Sequence, residues 1–238
     1  MPLEKVARLA TCREPFKTYD HIVVVENGLC LGTVSVQKML DALAQAQVEM
    51  AKGANPLTGL PGGLALESEL ERRCNAGVPS SIIYADLDNF KVYNDVYGFK
   101  SGDRMIRLTA DILSWASRRH GGEAAFLGHV GGDDFLCFSE TGRAERLCLA
   151  VTRCFGRLVR GLYDPKDMTR GYVEAKGRDG KEGRFPLVSI SLGIVDCAGN
   201  GCDLQQLAQR AAEVKHWAKS LPGNVWVRDR RRPLGEDM

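Results

Sequence analysis

Long apolar runs are absent from this 238-residue sequence, which excludes a membrane-spanning helix. No signal-peptide pattern opens the chain. Charge of one sign is also scarce. Lys and Arg number 32 against 30 Asp and Glu, and the formal net charge of +2 is too small for a generally basic nucleic-acid binder. The run Arg228 to Arg232 is a local basic tail and reads as solvated. The eight cysteines contain no Cys-x-x-Cys pair and only four histidines accompany them, so no structural zinc site is expected. Cys137, Cys148 and Cys154 lie in apolar runs and read as reduced core thiols. Cys197 and Cys202 flank a Gly-Asn-Gly turn and could approach each other. A reducing cytoplasm is the expected compartment. The remaining composition, 44% apolar and 26% charged, suits one large or two small globular domains.

Residues 1–20 show no clear period. Ile22 to Val25 is a short β-branched run, Glu26-Asn27-Gly28 a turn signal, and Leu29 to Val36 the returning strand. From Val36 the period becomes helical up to Lys52-Gly53. Met39, Leu43, Ala46 and Met50 form a heptad-like stripe that serves either as a packed face or as a dimer seam. Beyond Pro56 strands and helices alternate. A helix is expected over residues 64–74, a buried strand over 80–86, a short helix ending at Gly98, and a helix from Arg104 to about Arg119 capped by Asp103. A long helix follows from Ala144 to Leu162. Residues 163–184 are broken by Asp-Pro, Lys-Gly and Asp-Gly, with room for an extra hairpin around 171–175 and Phe185. A strand over 187–195, a helix capped by Asp203 and ending near Lys219, and a strand over 225–227 complete the pattern. This order predicts one α/β domain over residues 53–238, preceded by a separate segment over 1–52.

The chemistry gathers in two places. Phe126 to Phe138 reads as a hairpin with Gly131-Gly132 at its tip, both glycines taking positive φ, and with Asp133 and Asp134 directly after it. A solvated turn would explain that pair. Carboxylates this close repel one another unless a cation sits between them. The strand over 80–86 runs into Asp86-Leu-Asp-Asn-Phe-Lys91, and carboxylates at a strand's C-terminal end are where α/β sheets place ligand sites. Asp88 is expected only to cap the following helix. Asp86 and Asp133 are 47 residues apart, so only the fold can join them.

These two sites, together with Leu57-Thr-Gly-Leu60, Asn94-Asp95, Gly98, Gly102-Asp103 and Ser189-x-Ser-x-Gly193, resemble a GGDEF domain in order and spacing over residues 55–227. The segment Val23 to Val36 resembles the last strand-strand-helix of a CBS domain. With the variant His129-Val-Gly-Gly-Asp-Asp-Phe135 it is similar to the C-terminal part of proteins that join EAL, CBS and GGDEF domains. The resemblance implies a palm-like, nucleotidyl-cyclase-like central mixed sheet flanked by helices, with an N-terminal strand-strand-helix extension. It implies diguanylate cyclase chemistry, in which two GTP molecules become cyclic di-GMP and pyrophosphate. Asp86, the carbonyl of Leu87, Asp133 and Asp134 would hold Mg²⁺ or Mn²⁺. Asp134 would assist a second metal or take the proton. Asn94 and Asp103 correspond to guanine readers, Lys91 and Lys219 to phosphate-binding lysines, and Gly131 and Gly132 to the turn against the nucleotide. One GTP per domain implies a homodimer, through the domain face and through helix 36–52 if that stripe is a seam. An EAL partner in a longer chain follows from the same resemblance; neither nucleic acid nor membrane does.

Several positions depart from the family pattern. Asp134 stands for the usual Glu, about 1.5 Å shorter in reach. His129 stands for an arginine, Ser220-Leu-Pro-Gly-Asn224 lacks another, Phe99 replaces a histidine, and Asn55 replaces an aspartate. Each lost arginine removes a bidentate phosphate donor. Gly122-Glu-Ala-Ala125 fills the place of the Arg-x-x-Asp feedback motif, so no such product site is expected. Two functions follow: a diguanylate cyclase, or a GTP-binding module without turnover that regulates a partner domain.

Overall fold

The computed structural model describes residues 6, 12, 17, 20–26, 28–42, 53–176, 182–198 and 204–234. The chain divides into two units, Met1–Gly53 and Ala54–Met238. In the first unit, strands β1 (Ile22–Glu26) and β2 (Leu29–Val34) pair antiparallel around Gly28. A helix over residues 36–42 follows, and the Ser35 hydroxyl accepts from the Lys38 amide at 3.2 Å as its cap. Val36 and Met39 are buried against Val6, Ile22 and Val34. Met39 is thus used for packing inside its own unit. Leu43, Ala46 and Met50, the rest of the expected stripe, lie outside the described residues, as do Cys202 and Asp203.

The second unit is built on a five-stranded sheet of order β4-β5-β3-β8-β9. Its strands are β3 (Ser80–Asp88), β4 (Phe126–Gly131), β5 (Asp134–Ser139), β8 (Ser189–Cys197) and β9 (Val225–Arg228). Every neighbouring pair is antiparallel except β8–β9. Helices α1 (Gly63–Asn75), α2 (Phe90–Tyr97), α3 (Phe99–His120), α4 (Ala144–Leu158) and α6 (Leu204–Ser220) flank it. The broken stretch from residue 163, an insertion relative to the compact family pattern, adds three elements: α5 (Pro165–Arg170) and the paired strands β6 (Tyr172–Lys176) and β7 (Glu182–Pro186).

The period-2 alternation of a strand assigns each face its core. Along β3, Ile83, Ala85 and Leu87 enter the larger cluster with residues of α2, α3 and α4. Ile82 and Tyr84 enter the smaller one with Leu66 of α1 and Leu207, Val214 and Ala218 of α6. On β8, Ile190, Leu192 and Ile194 face the larger cluster and Val195 and Cys197 the smaller one. Gly193 is where α6 comes down on the sheet, since a Cβ there would lie 2.9 Å from Val214 Cγ1.

The chain turns from β3 into α2 through Asn89 at φ 60°, the one non-glycine residue with positive φ among the described residues. Asparagine tolerates this conformation better than most side chains. Helix α3 begins at Phe99, earlier than expected, so Asp103 sits inside it instead of capping it. Asp164-Pro165, expected to break structure, opens α5, because proline fits the first helical position.

Three tyrosines tie the insertion to α2. Tyr93 and Tyr97 stack at 4.8 Å, and Tyr163 meets them edge-on at 5.1 and 5.5 Å. Tyr93 Oη donates to the Leu162 carbonyl at 2.8 Å, Tyr97 Oη donates to Asp167, and Tyr163 Oη accepts from the Val188 amide at 2.8 Å. Burial pushes the Tyr97 phenol up to about 12, helped by Asp167. Tyr163→Phe would leave the buried Val188 amide without its acceptor, and should cost about 1–2 kcal/mol in urea unfolding. A change below a few tenths would mean that water replaces the phenol.

Candidate active site

The same alternation decides the site. Asp86 shares the face of Ile82 and Tyr84, and Asp134 that of Leu136 and Phe138, the face covered by α6. In the β3–β5 register Ala85 faces Phe135, so the next pair outward is Asp86 and Asp134. Asp86 is 3% exposed, and Asp134 is half-buried. Leu87, one residue on, buries its side chain in the opposite core.

Helix α6 brings two lysines to these acids. Lys215 Nζ lies 2.6 Å from Asp86 Oδ2 and also reaches Asp134 Oδ1. Lys219 Nζ lies 2.5 Å from Asp86 Oδ1. That ion pair is not aligned as a hydrogen bond, and Asp86 Oδ1 is buried without one. Burial raises the Asp86 carboxyl to about 6 against the opposing pull of both lysines. Burial also pushes Asp134 upward, but hydrogen bonds from Lys215 and Asp86 outweigh it and leave Asp134 below the usual range. Asp133 is raised by burial and by the charge of Asp134, while Lys219 and Lys215 draw it down. Among the described residues no three His, Cys, Asp or Glu side chains are already grouped as a metal cage. The donor set still suits Mg²⁺, which takes one or two carboxylates and completes its shell with water and phosphate oxygens. Asp86 Oδ1, which Lys219 meets as an ion pair without an aligned hydrogen bond, is where such an ion would fit once that ammonium swings aside.

The hairpin tip falls one residue later than its glycines suggest. Gly131 pairs with Asp134, leaving Gly132 and Asp133 as the two turn residues. Gly132 has φ 59°, whereas Asp133 is not in the left-handed region, so only the first central residue needs glycine. Asp133 therefore belongs to the turn and Asp134 to the strand.

Asp88 does not cap α2. It accepts hydrogen bonds from Ser189 Oγ at 2.9 Å and Ser191 Oγ at 2.7 Å, tying β3 to β8, and α2 has no side-chain cap. Asn94 carries a buried Oδ1 without a hydrogen bond, held so close to Gly102 that a Cβ there would strike it. Lys91 and Asp103 are exposed on α2 and α3. A cavity of about 420 Å³, lined by Asp88, Asn89, Ser189, Lys219 and Gly223 among others, opens at the end of β3.

His129 is 2% exposed and stacks on Phe135 with ring centroids 4.2 Å apart. It sits on the face opposite Asp86, as Leu127 does, so it cannot take the place of a phosphate-binding arginine. Its Nε2 lies 3.0 Å from the Gly132 carbonyl, which can only accept, so Nε2 carries the proton. Nδ1 then accepts from Thr58 Oγ1 at 3.1 Å. Asn55 Oδ1 accepts from the Leu57 and Thr58 amides and shapes that turn. Burial lowers the His129 pKa, opposed by the Gly132 hydrogen bond and by the charges of Asp134 and Asp133. An unfolded histidine takes up its proton below about pH 6.5, while the folded ring resists. This contribution to stability is thus complete above that pH and is lost progressively as the pH falls from there through the lower folded pKa. His129→Gln should show a smaller fall in urea midpoint between about pH 7.5 and about pH 5.5 than the parent. An equal fall would place the titration elsewhere.

Sequence reasoning found Lys219 but missed Lys215. Their spacing of four residues puts both on one helical face, a signal open to reading only once α6 is known to cross Asp86.

Comparison with known proteins bears on this arrangement. The family model described as "Diguanylate cyclase, GGDEF domain" matches residues 54–224. The diguanylate cyclase VdcA of Vibrio cholerae is 27% identical over 201 residues, covering 84% of this chain and 53% of VdcA. The diguanylate cyclase DgcP of Pseudomonas aeruginosa is 34% identical over 111 residues, covering 42% of this chain and 16% of DgcP. The chain thus spans about half the length of the first of these curated relatives and less of the second. Among solved structures, the diguanylate cyclase SiaD of Pseudomonas aeruginosa, in complex with its activator SiaC, aligns with a TM-score of 0.56 at 23% identity, covering 95% of this chain and 72% of SiaD. The GGDEF domain of DgcB from Caulobacter crescentus, in complex with c-di-GMP, aligns with a TM-score of 0.52 at 20% identity, covering 74% and 95%. The structural likeness concerns the fold, and no helix of the described residues is long and apolar enough to cross a membrane. Through the match over residues 54–224, the chain belongs to the GGDEF domain family of diguanylate cyclases.

Proposed function

We propose that residues 54–238 bind GTP with Mg²⁺ or Mn²⁺ and, as a face-to-face homodimer, condense two GTP into cyclic di-GMP and pyrophosphate. One observation carries this reading: the Asp86 and Asp134 carboxylates sit side by side on neighbouring strands, on the face that two lysines approach. Asp86, Asp133, Asp134 and the Leu87 carbonyl are the oxygen donors for the ion. When bound, the ion neutralises triphosphate charge and lowers the pKa of an attacking hydroxyl.

The chain's own groups do the rest. Asn94 reads the guanine edge with its side-chain amide, and Asp103 accepts from guanine N–H groups. Lys91 and Lys219 neutralise phosphates, and Gly131 and Gly132 let the backbone come close to them. Asp134 takes the proton of the attacking 3′-hydroxyl or supports a second ion. One domain orients one nucleotide, so attack needs a second domain facing it. The exposed valines and leucines of β1 and β2 support reading the first unit as a fragment of a CBS-like domain, with an EAL neighbour in a longer cytoplasmic chain.

A second reading, a GTP-binding regulatory module without turnover, is favoured by His129 facing away from the phosphates and by Gly223 lining the cavity beside Lys219. Incubating the protein with GTP and Mg²⁺ and separating the products decides between them. Cyclic di-GMP establishes the cyclase; calorimetric GTP binding without product establishes the module; the absence of both product and binding rejects the site.

A further inference from the structure

We infer that Lys215 is a resident counter-cation, which holds the Asp86 and Asp134 carboxylates together until a divalent ion takes them and then turns to the nucleotide phosphates. The inference rests on the GTP-binding reading and adds to it a residue and an order of charge states.

The geometry is that of a bridge. One ammonium spans two carboxylates on neighbouring strands, 2.6 Å from Asp86 and in contact with Asp134. A divalent ion on those oxygens and an ammonium on the same oxygens exclude each other, because both need the same lone pairs and like charges repel. Lys215 has somewhere to go. Its side chain is 31% exposed, while Val214 and Ala218 beside it on α6 are buried and fix the helix. The ammonium can therefore leave while its helix stays.

Charge sets the order of events. Asp86, Asp133 and Asp134 against Lys215 and Lys219 give the site's own side chains a formal balance of about −1. A divalent ion turns the site positive by about one charge, which draws in the more highly charged triphosphate. Metal and nucleotide then favour each other, and Lys215 supplies one of the positive charges that the loop Ser220 to Asn224 lacks.

Calorimetry on Lys215→Met, with Lys100→Met as an exposed control, tests this. Mn²⁺ alone should bind Lys215→Met about tenfold tighter than the parent, because only the Lys219 ammonium is left to displace. GTP with Mg²⁺ should bind it about tenfold more weakly, through loss of one charged hydrogen bond. A merely structural role would weaken both. Unchanged or weaker Mn²⁺ binding in Lys215→Met overturns the inference, whatever the nucleotide does. Tighter Mn²⁺ binding in a protein whose parent binds no GTP supports the metal exchange and rejects the nucleotide reading instead.

Discussion

Asp86→Ala should abolish metal-dependent GTP binding, with affinity falling at least about 100-fold, or about 3 kcal/mol. The size follows from position. Asp86 is the most buried of the three carboxylates, and its side chain offers an oxygen that no hydrogen bond satisfies. Folding should change little, because the side chains of Lys215 and Lys219 are 31% and 39% exposed and both ammonium groups can reach water. Asp88→Ala is the informative partner. It lies two residues away on the same strand face, yet its loss strands only the hydroxyls of Ser189 and Ser191. That variant should lose about 1–2 kcal/mol of stability and keep its GTP affinity within a few-fold. Calorimetry with GTP and Mg²⁺ checks both, and retention of binding in Asp86→Ala within about tenfold would end the metal assignment.

Phe135→Ala should destabilise the domain by about 3–5 kcal/mol, the usual range for a buried phenylalanine. At this size the loss corresponds to a melting temperature lower by about 10 °C. Phe135 is 1% exposed, follows Asp134 directly, and carries the stacked ring of His129, which in turn holds the Gly132 carbonyl. Its removal empties the core beneath the turn that presents Asp133. Thermal unfolding followed by circular dichroism measures it, and a loss below about 1 kcal/mol would mean that the surrounding core collapses into the gap.

Much of this was legible in the residues. Leu187 to Val195 alternates cleanly, and β8 forms there; the hairpin proposed in the insertion forms as β6 and β7. Asp86 and the Asp133-Asp134 pair were read from strand ends and turn chemistry, which are local signals. What escaped is set by distant pairing. The serines that hold Asp88 are more than 100 residues away, so local reasoning could offer only a cap. Lys215 on an amphipathic helix reads as solvated until the strand beneath it is known. Gly131-Gly132 left the turn ambiguous by one residue, which only the register with β5 resolves. His129 was read as the loss of an arginine, and strand pairing with Phe135 adds what local reasoning could not give, a place on the sheet face opposite Asp86.

The contact between Gly193 and Val214 has a mechanical consequence. Both lysines ride on a helix that rests, near its middle, on a strand position with no side chain. That bare spot works as a fulcrum: a single methyl placed there would act as a shim under α6 and tilt two positive charges away from their acids together. Affinity for the ion could thus be tuned from beneath the helix, by a residue that never touches it.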